Sequence, residues 1–131
     1  MQWLLYGNLP TGLAEDLVLR GHKTHLPADL TLTADATLPD IVNAAAAAQW
    51  DILTADPALP ALLFGPPEEL PRMFGRSVVL IQPQAGEAPH DILERLFKRY
   101  PRLTPWRLYT VTPSRVKIRQ LPRRRNVRAS S

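Results

Sequence analysis

The sequence predicts an α/β fold in three layers, with a mainly parallel sheet between helices and a strand pair at the C-terminal end. Two observations support this prediction. Short apolar segments typical of strands alternate with segments of helical periodicity, the order that builds parallel β–α–β units. The apolar run at residues 77–81 is continuous, as expected of a strand buried on both faces of such a sheet.

The N-terminal part is predicted to contain a strand, a helix and a second strand. Residues 2–6 form the first strand. The helix follows from residues 8–10, because proline is favoured in the first turn of a helix, and Gly21 ends it. Residues 23–26 form the second strand. The apolar face of the helix is predicted to carry Leu9, Leu13, Leu17 and Val18.

The middle of the chain is predicted to hold a second helix and a third strand. Thr37 is a candidate N-cap residue, Pro39 lies just inside the helix, and Asp40 suits both capping and the helix dipole. The helix runs to Ala48 through a run of alanines, the best helix formers. Residues 51–54 form the third strand.

The C-terminal half is predicted to begin with short turns, because residues 57–75 are rich in proline. Residues 77–81 form the fourth strand, and Pro89 starts a helix that ends near Tyr100. Two further strands are predicted, at residues 106–111 and 116–118. The domain is expected to span residues 1–121, and residues 122–131 to form a flexible basic tail.

Charge is strongly segregated along the 131 residues, although the net charge is only +4. All twelve acids lie at or before Glu94, together with only four bases, whereas the chain from Arg95 onward has twelve bases and no acid. Such asymmetry suggests a polyanion or an acidic partner, or a basic segment that lies on its own acidic body. There is no cysteine, which excludes disulfides, thiolate zinc sites and a cysteine nucleophile.

The basic residues of the C-terminal third are candidates for binding RNA phosphates, which supply affinity without sequence readout. In the last strand, basic residues alternate with Val116 and Ile118, so one face is predicted to be buried and the other basic. The alternative is a solvated edge strand that deters aggregation, followed by a solubilising tail. The candidate residues are Arg115, Lys117, Arg119, Arg123, Arg124 and Arg125, with Arg128 further along the tail.

A second candidate site is expected where the parallel strands end, because ligands of open parallel sheets bind beyond the carboxyl ends of the strands. The first strand ends at residues 6–8, the second helix begins around Asp40, and the third strand leads into Asp56. Two carboxylates at one rim can hold Mg²⁺ or Mn²⁺. The alternative is that Asp40 caps a helix and that Asp56, which precedes Pro57, starts the next one.

The order of these segments resembles that of a bacterial PIN-like family, often encoded as the toxin of toxin–antitoxin pairs. That family opens with a strand followed by Asp-x-Asn-Leu-Pro and a helix closing on Arg-Gly-His. A later Asp starts its second helix, and a strand then ends in Thr-x-Asp-x-Asp-Phe. The resemblance covers about residues 2–120. The matching residues are Asn8-Leu9-Pro10, Arg20-Gly21-His22, Asp40, Thr54-Ala55-Asp56 and Arg115-Val116-Lys117-Ile118-Arg119.

The sequence departs from the family at the acids. Tyr6 stands where the family has its first Asp, and Gly7 occupies the next position, which is often acidic. Ala58 replaces the second Asp of the later motif. Only Asp40 and Asp56 remain of the expected set, which leaves little negative charge for a hard cation.

The resemblance therefore implies a protein related to metal-dependent ribonucleases whose activity is weakened or lost. If the protein is active, the resemblance implies an Mg²⁺- or Mn²⁺-dependent endoribonuclease in which Asp40 and Asp56 hold the metal. Thr54 and Asn8 then orient the site, and a metal-bound water attacks the RNA phosphodiester.

Two functions from different classes thus remain open: this nuclease, and a non-catalytic module that binds RNA or a small antitoxin-like protein through its basic C-terminal third. A homodimer is a further expectation for a parallel-sheet domain. No stretch approaches the roughly 20 apolar residues that cross a bilayer, so a cytoplasmic protein without a membrane partner is expected.

Overall fold

The computed structural model describes residues 1–66 and 74–122. Over these ranges the chain is an α/β fold with six strands, four α-helices and one 3₁₀ turn, Pro27–Asp29. The strands are β1 (Gln2–Tyr6), β2 (Lys23–His25), β3 (Asp51–Thr54), β4 (Val78–Ile81), β5 (Arg107–Val111) and β6 (Val116–Gln120). The helices are α1 (Leu13–Leu19), α2 (Leu38–Ala48), α3 (Ala58–Leu63) and α4 (Pro89–Arg99).

The strands form one mixed sheet in the order β2-β1-β3-β4-β5-β6. The first five strands are parallel, and β6 pairs antiparallel with β5 as the second strand of a hairpin. From β1 the chain moves outward to β2 and then crosses back to β3 on the other side of β1. The strand order therefore reverses between β1 and β3, and the ends of these two strands form the topological switch point of the sheet.

The core lies on both faces of the sheet, because successive side chains of a strand point to opposite faces. On one face, Leu4, Ile52 and Leu80 pack with residues of α2 and α3. On the other face, Leu53 and Val79 pack with residues of α1 and α4. All four residues of β3 and of β4 are buried, which confirms the prediction of a buried central strand at residues 77–81.

Two details of the predicted elements were wrong. The first helix begins at Leu13, because Gly12 before it has a φ of 92° and closes a turn after Pro10. This short helix buries Leu13 and Leu17, but Val18 is 56% exposed. In β6, neither apolar residue is buried: Val116 is half-buried and Ile118 is 38% exposed, because β6 is the edge strand of the sheet.

The predicted basic tail, residues 122–131, lies outside the described residues except for Pro122. Among the described residues, no helix is both long enough and apolar enough to cross a membrane.

Candidate functional site

The rim of the sheet at the switch point brings together two of the three predicted site segments, the end of β1 and the loop after β3. The Thr54 hydroxyl donates a hydrogen bond of 2.8 Å to the carbonyl oxygen of Tyr6 and accepts one of 3.0 Å from the backbone N–H of Asp56. This single side chain therefore ties the end of β1 to the loop after β3. Beside it lies a cavity of about 320 Å³, lined by Gly7, Asn8, Ala55, Asp56 and Pro57.

The backbone conformation at the end of β1 favours glycine at position 7. The φ of Gly7 is 91°, which residues other than glycine rarely adopt, whereas a Cβ atom there would make only ordinary contact, 3.4 Å from the Cβ atom of Asp56. The glycine at the position that is often acidic in the resembling family thus serves the turn after β1.

The two remaining candidate metal ligands both bond to the backbone at helix starts. An Asp56 carboxylate oxygen accepts a hydrogen bond of 2.9 Å from the N–H of Ala58, the first residue of α3. An Asp40 carboxylate oxygen accepts one of 2.9 Å from the N–H of Thr37, just before α2. Asp40 is exposed and is not among the residues that line the rim cavity. Both contacts match the capping alternative raised by the sequence.

A divalent cation fits this rim poorly. Hard cations such as Mg²⁺ need several oxygen ligands, and at least one or two carboxylates must offset their reluctance to dehydrate. Tyr6 brings no carboxylate, and the Thr54 hydroxyl is already engaged. Within residues 1–66 and 74–122, no group of three or more His, Asp or Glu side chains is placed to hold a metal. The metal-binding roles of Asp40 and Asp56 stay predictions.

Asp51 has a structural role at the other end of β3, away from the rim. It begins β3, is 2% exposed, and accepts hydrogen bonds of 2.9 and 2.8 Å from the backbone N–H and the hydroxyl of Ser77. Arg76 lies 3.4 Å from its other oxygen. This buried carboxylate therefore links β3 to β4, and nothing in its sequence context distinguishes it from an exposed aspartate.

The predicted basic residues of β6 lie on the exposed edge of the sheet. We call Arg115, Lys117 and Arg119 the basic edge; all three are exposed. The guanidinium of Arg119 lies 3.7 Å from the centroid of the Phe64 ring, a cation–π contact that holds this side chain against the end of α3. The predicted partners Arg123, Arg124 and Arg125 lie outside the described residues.

The ion pairs among residues 1–66 and 74–122 leave this basic surface uncompensated. Asp16, Arg20 and Glu94 link α1 to α4, and a pair between Arg95 and Glu87 lowers the pKa of the Glu87 carboxyl. In the part of the chain that the structure describes, no ion pair includes a base beyond Arg95.

A second group of bases meets on the α4 side of the hairpin, and the sequence did not predict it. A cleft of about 450 Å³ opens there between α4 and the β5–β6 hairpin. We call it the cationic cleft. Its lining is Arg95, Lys98, Arg99, Ser114, Arg115 and Val116. The residues of α4 and of the hairpin are far apart in the chain, so only the fold brings their charges together.

His22 has a structural role between β1 and α4. The indole N–H of Trp3 donates a hydrogen bond of 3.1 Å to its Nδ1 atom, and its ring stacks on Phe97 with 5.2 Å between centroids. Burial lowers the pKa of His22, and the charges of the N-terminus and Arg20 lower it further.

No family model, curated protein or solved structure matches the chain.

Proposed function

We propose that the chain is a PIN-like domain that binds RNA through its phosphates without cleaving it. The observation that carries this proposal is the uncompensated basic surface of the C-terminal third. Its bases lie on a sheet edge and a neighbouring helix, and no described acid pairs with those beyond Arg95. The PIN-like part of the proposal rests on the order of sequence motifs and on the rim that joins the ends of β1 and β3.

Loss of catalysis follows from the carboxylates. Two acids of the expected set remain, Asp56 at the rim and Asp40 at the start of α2, and each accepts a hydrogen bond from the backbone at the start of a helix. Binding of RNA without cleavage requires no metal, because phosphate contacts from Lys and Arg release counterions and so supply affinity by themselves.

The basic edge suits a flexible polyanion. Lys117 and Arg119 lie two residues apart in β6 and therefore point to one face of the sheet, and Arg115 directly precedes the strand. They are exposed and so need little rearrangement to reach phosphates. Contacts of this kind do not distinguish bases, so the domain is expected to bind RNA of different sequences with similar affinity.

The test is fluorescence anisotropy with labelled single-stranded RNA at several salt concentrations. Lys117→Gln is expected to weaken binding and to reduce the slope of log K against log salt by about 0.7, the effect of one lost phosphate contact on a single strand. Lys23→Gln is the matched control, because Lys23 is an exposed lysine on the opposite edge strand. Equal effects of the two substitutions, or no RNA binding by the wild type, would overturn the proposal.

The absence of catalysis is tested with the same RNA in Mg²⁺ or Mn²⁺, followed on denaturing gels. We expect no metal-dependent cleavage above that of a mock preparation. If the wild type cleaves the RNA and Asp56→Asn does not, the non-catalytic part of the proposal is wrong and the nuclease hypothesis replaces it.

A further inference from the structure

We infer that the cationic cleft is a binding site for a terminal phosphate of a nucleotide, present either on a free nucleotide or at the end of an RNA strand. The inference deepens the proposed function and, for the RNA end, rests on it. The basic edge offers contacts to internal phosphates, whereas the cleft is a concave place between α4 and the hairpin that shares only Arg115 with the basic edge.

The first argument is convergence of charge. Lys98 and Arg99 come from the last turn of α4, and Arg115 comes from the hairpin. The helix dipole stabilises Lys98 and Arg99, because they lie in the last turn of α4. It does not explain why Arg115 lines the same cleft. Like charges in one cleft repel each other, and no ion pair among residues 1–66 and 74–122 includes these three bases, so a bound anion would relieve the repulsion.

The second argument is the magnitude of the charge. Arg95 also lines the cleft, but Glu87 neutralises it, so three positive charges remain. An internal phosphodiester carries one negative charge, whereas a terminal phosphate carries about −1.5 to −2 near neutrality and offers three acceptor oxygens. The terminal group is therefore the better match for the three bases that line the cleft.

The third argument is size and lining. A volume of about 450 Å³ lies within the range of small-molecule sites. The half-buried side chain of Val116 and the aliphatic stems of the basic residues supply apolar surface beside the charges. Such a lining accepts a sugar or base attached to the phosphate, which inorganic phosphate lacks.

The experiment compares one single-stranded RNA carrying either a 5′-phosphate or a 5′-hydroxyl, by fluorescence anisotropy with a 3′ label. The wild type is expected to bind the phosphorylated RNA about tenfold more tightly, the effect of one or two charge-assisted hydrogen bonds. Lys98→Gln/Arg99→Gln is expected to abolish the preference while it still binds both RNAs. Both side chains are exposed, so the substitution leaves the core intact.

Lys117→Gln is the matched control for loss of positive charge, and it is expected to weaken binding of both RNAs equally. A wild type that binds both RNAs with the same affinity, or a double variant that keeps the preference, would overturn the inference.

Failure of the proposed function gives a different result. If the wild type binds neither RNA, the proposed function is wrong. Binding at the cleft is then tested by comparing the effects of adenosine monophosphate and of adenosine on the thermal unfolding temperature. Stabilisation by the monophosphate alone, lost in Lys98→Gln/Arg99→Gln, supports the site on a free nucleotide. No stabilisation by the monophosphate overturns it.

Discussion

His22 occupies a position where the fold favours the neutral imidazole. Its Nδ1 atom accepts the indole N–H of Trp3, whose side chain is fully buried, and a proton on Nδ1 would remove that acceptor. Burial lowers the pKa of His22 below its ordinary value of 6.5. The unfolded chain therefore binds a proton at a higher pH than the folded chain does.

The sign of the resulting pH dependence follows directly. The contribution of His22 to stability is complete above pH 6.5, declines as the pH falls below that value, and levels off below the lowered pKa. His22→Gln, which keeps an acceptor, is expected to remove this decline in urea unfolding between about pH 7 and pH 5. His25→Gln, with His22 still present, should keep it. An unchanged decline in His22→Gln would contradict the assignment.

Position 75 requires glycine because of a large neighbouring side chain, and not because of its own backbone conformation. A Cβ atom there would lie 2.8 Å from the Cζ2 atom of the Trp106 ring. Gly75→Ala is therefore expected to lower the free energy of unfolding by about 1–3 kcal/mol through overpacking. In a Trp106→Leu background the same substitution should cost much less, since the ring is absent. Equal costs in both backgrounds, measured by urea unfolding, would exclude this steric cause.

At the scale of elements, the capping of α2 separates a structural from a metal-binding role of Asp40. Asp40→Ala removes the acceptor for the Thr37 N–H and is expected to cost about 0.5–1 kcal/mol, whereas Asp40→Asn keeps an acceptor and should cost less. The unfolding free energies are measured with EDTA and with Mg²⁺. Equal costs in both conditions are expected; a larger cost with Mg²⁺ would show that Asp40 holds the ion.

Elements with more than one local cue could be predicted well from the sequence. In α2, Thr37, Pro39 and Asp40 each indicate the same start, and the helix begins at Leu38. The first helix was placed too early because Pro10 alone suggested a first turn, whereas the positive φ of Gly12 delays the helix. The alternation in β6 indicated a strand but not its exposure, because the number of neighbouring elements is a property of the whole fold.

At the scale of the whole molecule, the sequence likewise predicts only those parts of the candidate sites that do not depend on tertiary packing. The meeting of the loops around Thr54 and Asn8 was predictable, because parallel strands end at one edge of a sheet. The buried role of Asp51 was not, since it depends on Ser77 of the neighbouring strand. The cationic cleft depends on α4 lying beside the hairpin, which only the tertiary packing determines.

The arrangement of the whole sheet predicts a gradient of stability that RNA should change at one edge only. Strands β1, β3, β4 and β5 have a hydrogen-bonded neighbour on each side and contribute to the core on both faces, whereas β2 and β6 are the edges. Native-state hydrogen exchange is therefore expected to be slowest in the four interior strands and fastest in β2 and β6.

If the basic edge binds RNA, addition of RNA should slow exchange in β6 and at residues 112–115 of the hairpin and leave β2 unchanged. The comparison of the two edges is internal, because both are short strands with one hydrogen-bonded neighbour. Slower exchange at both edges would indicate general stabilisation of the domain. Slower exchange at β2 alone would place the RNA on the wrong side of the sheet and exclude the basic edge as its binding surface.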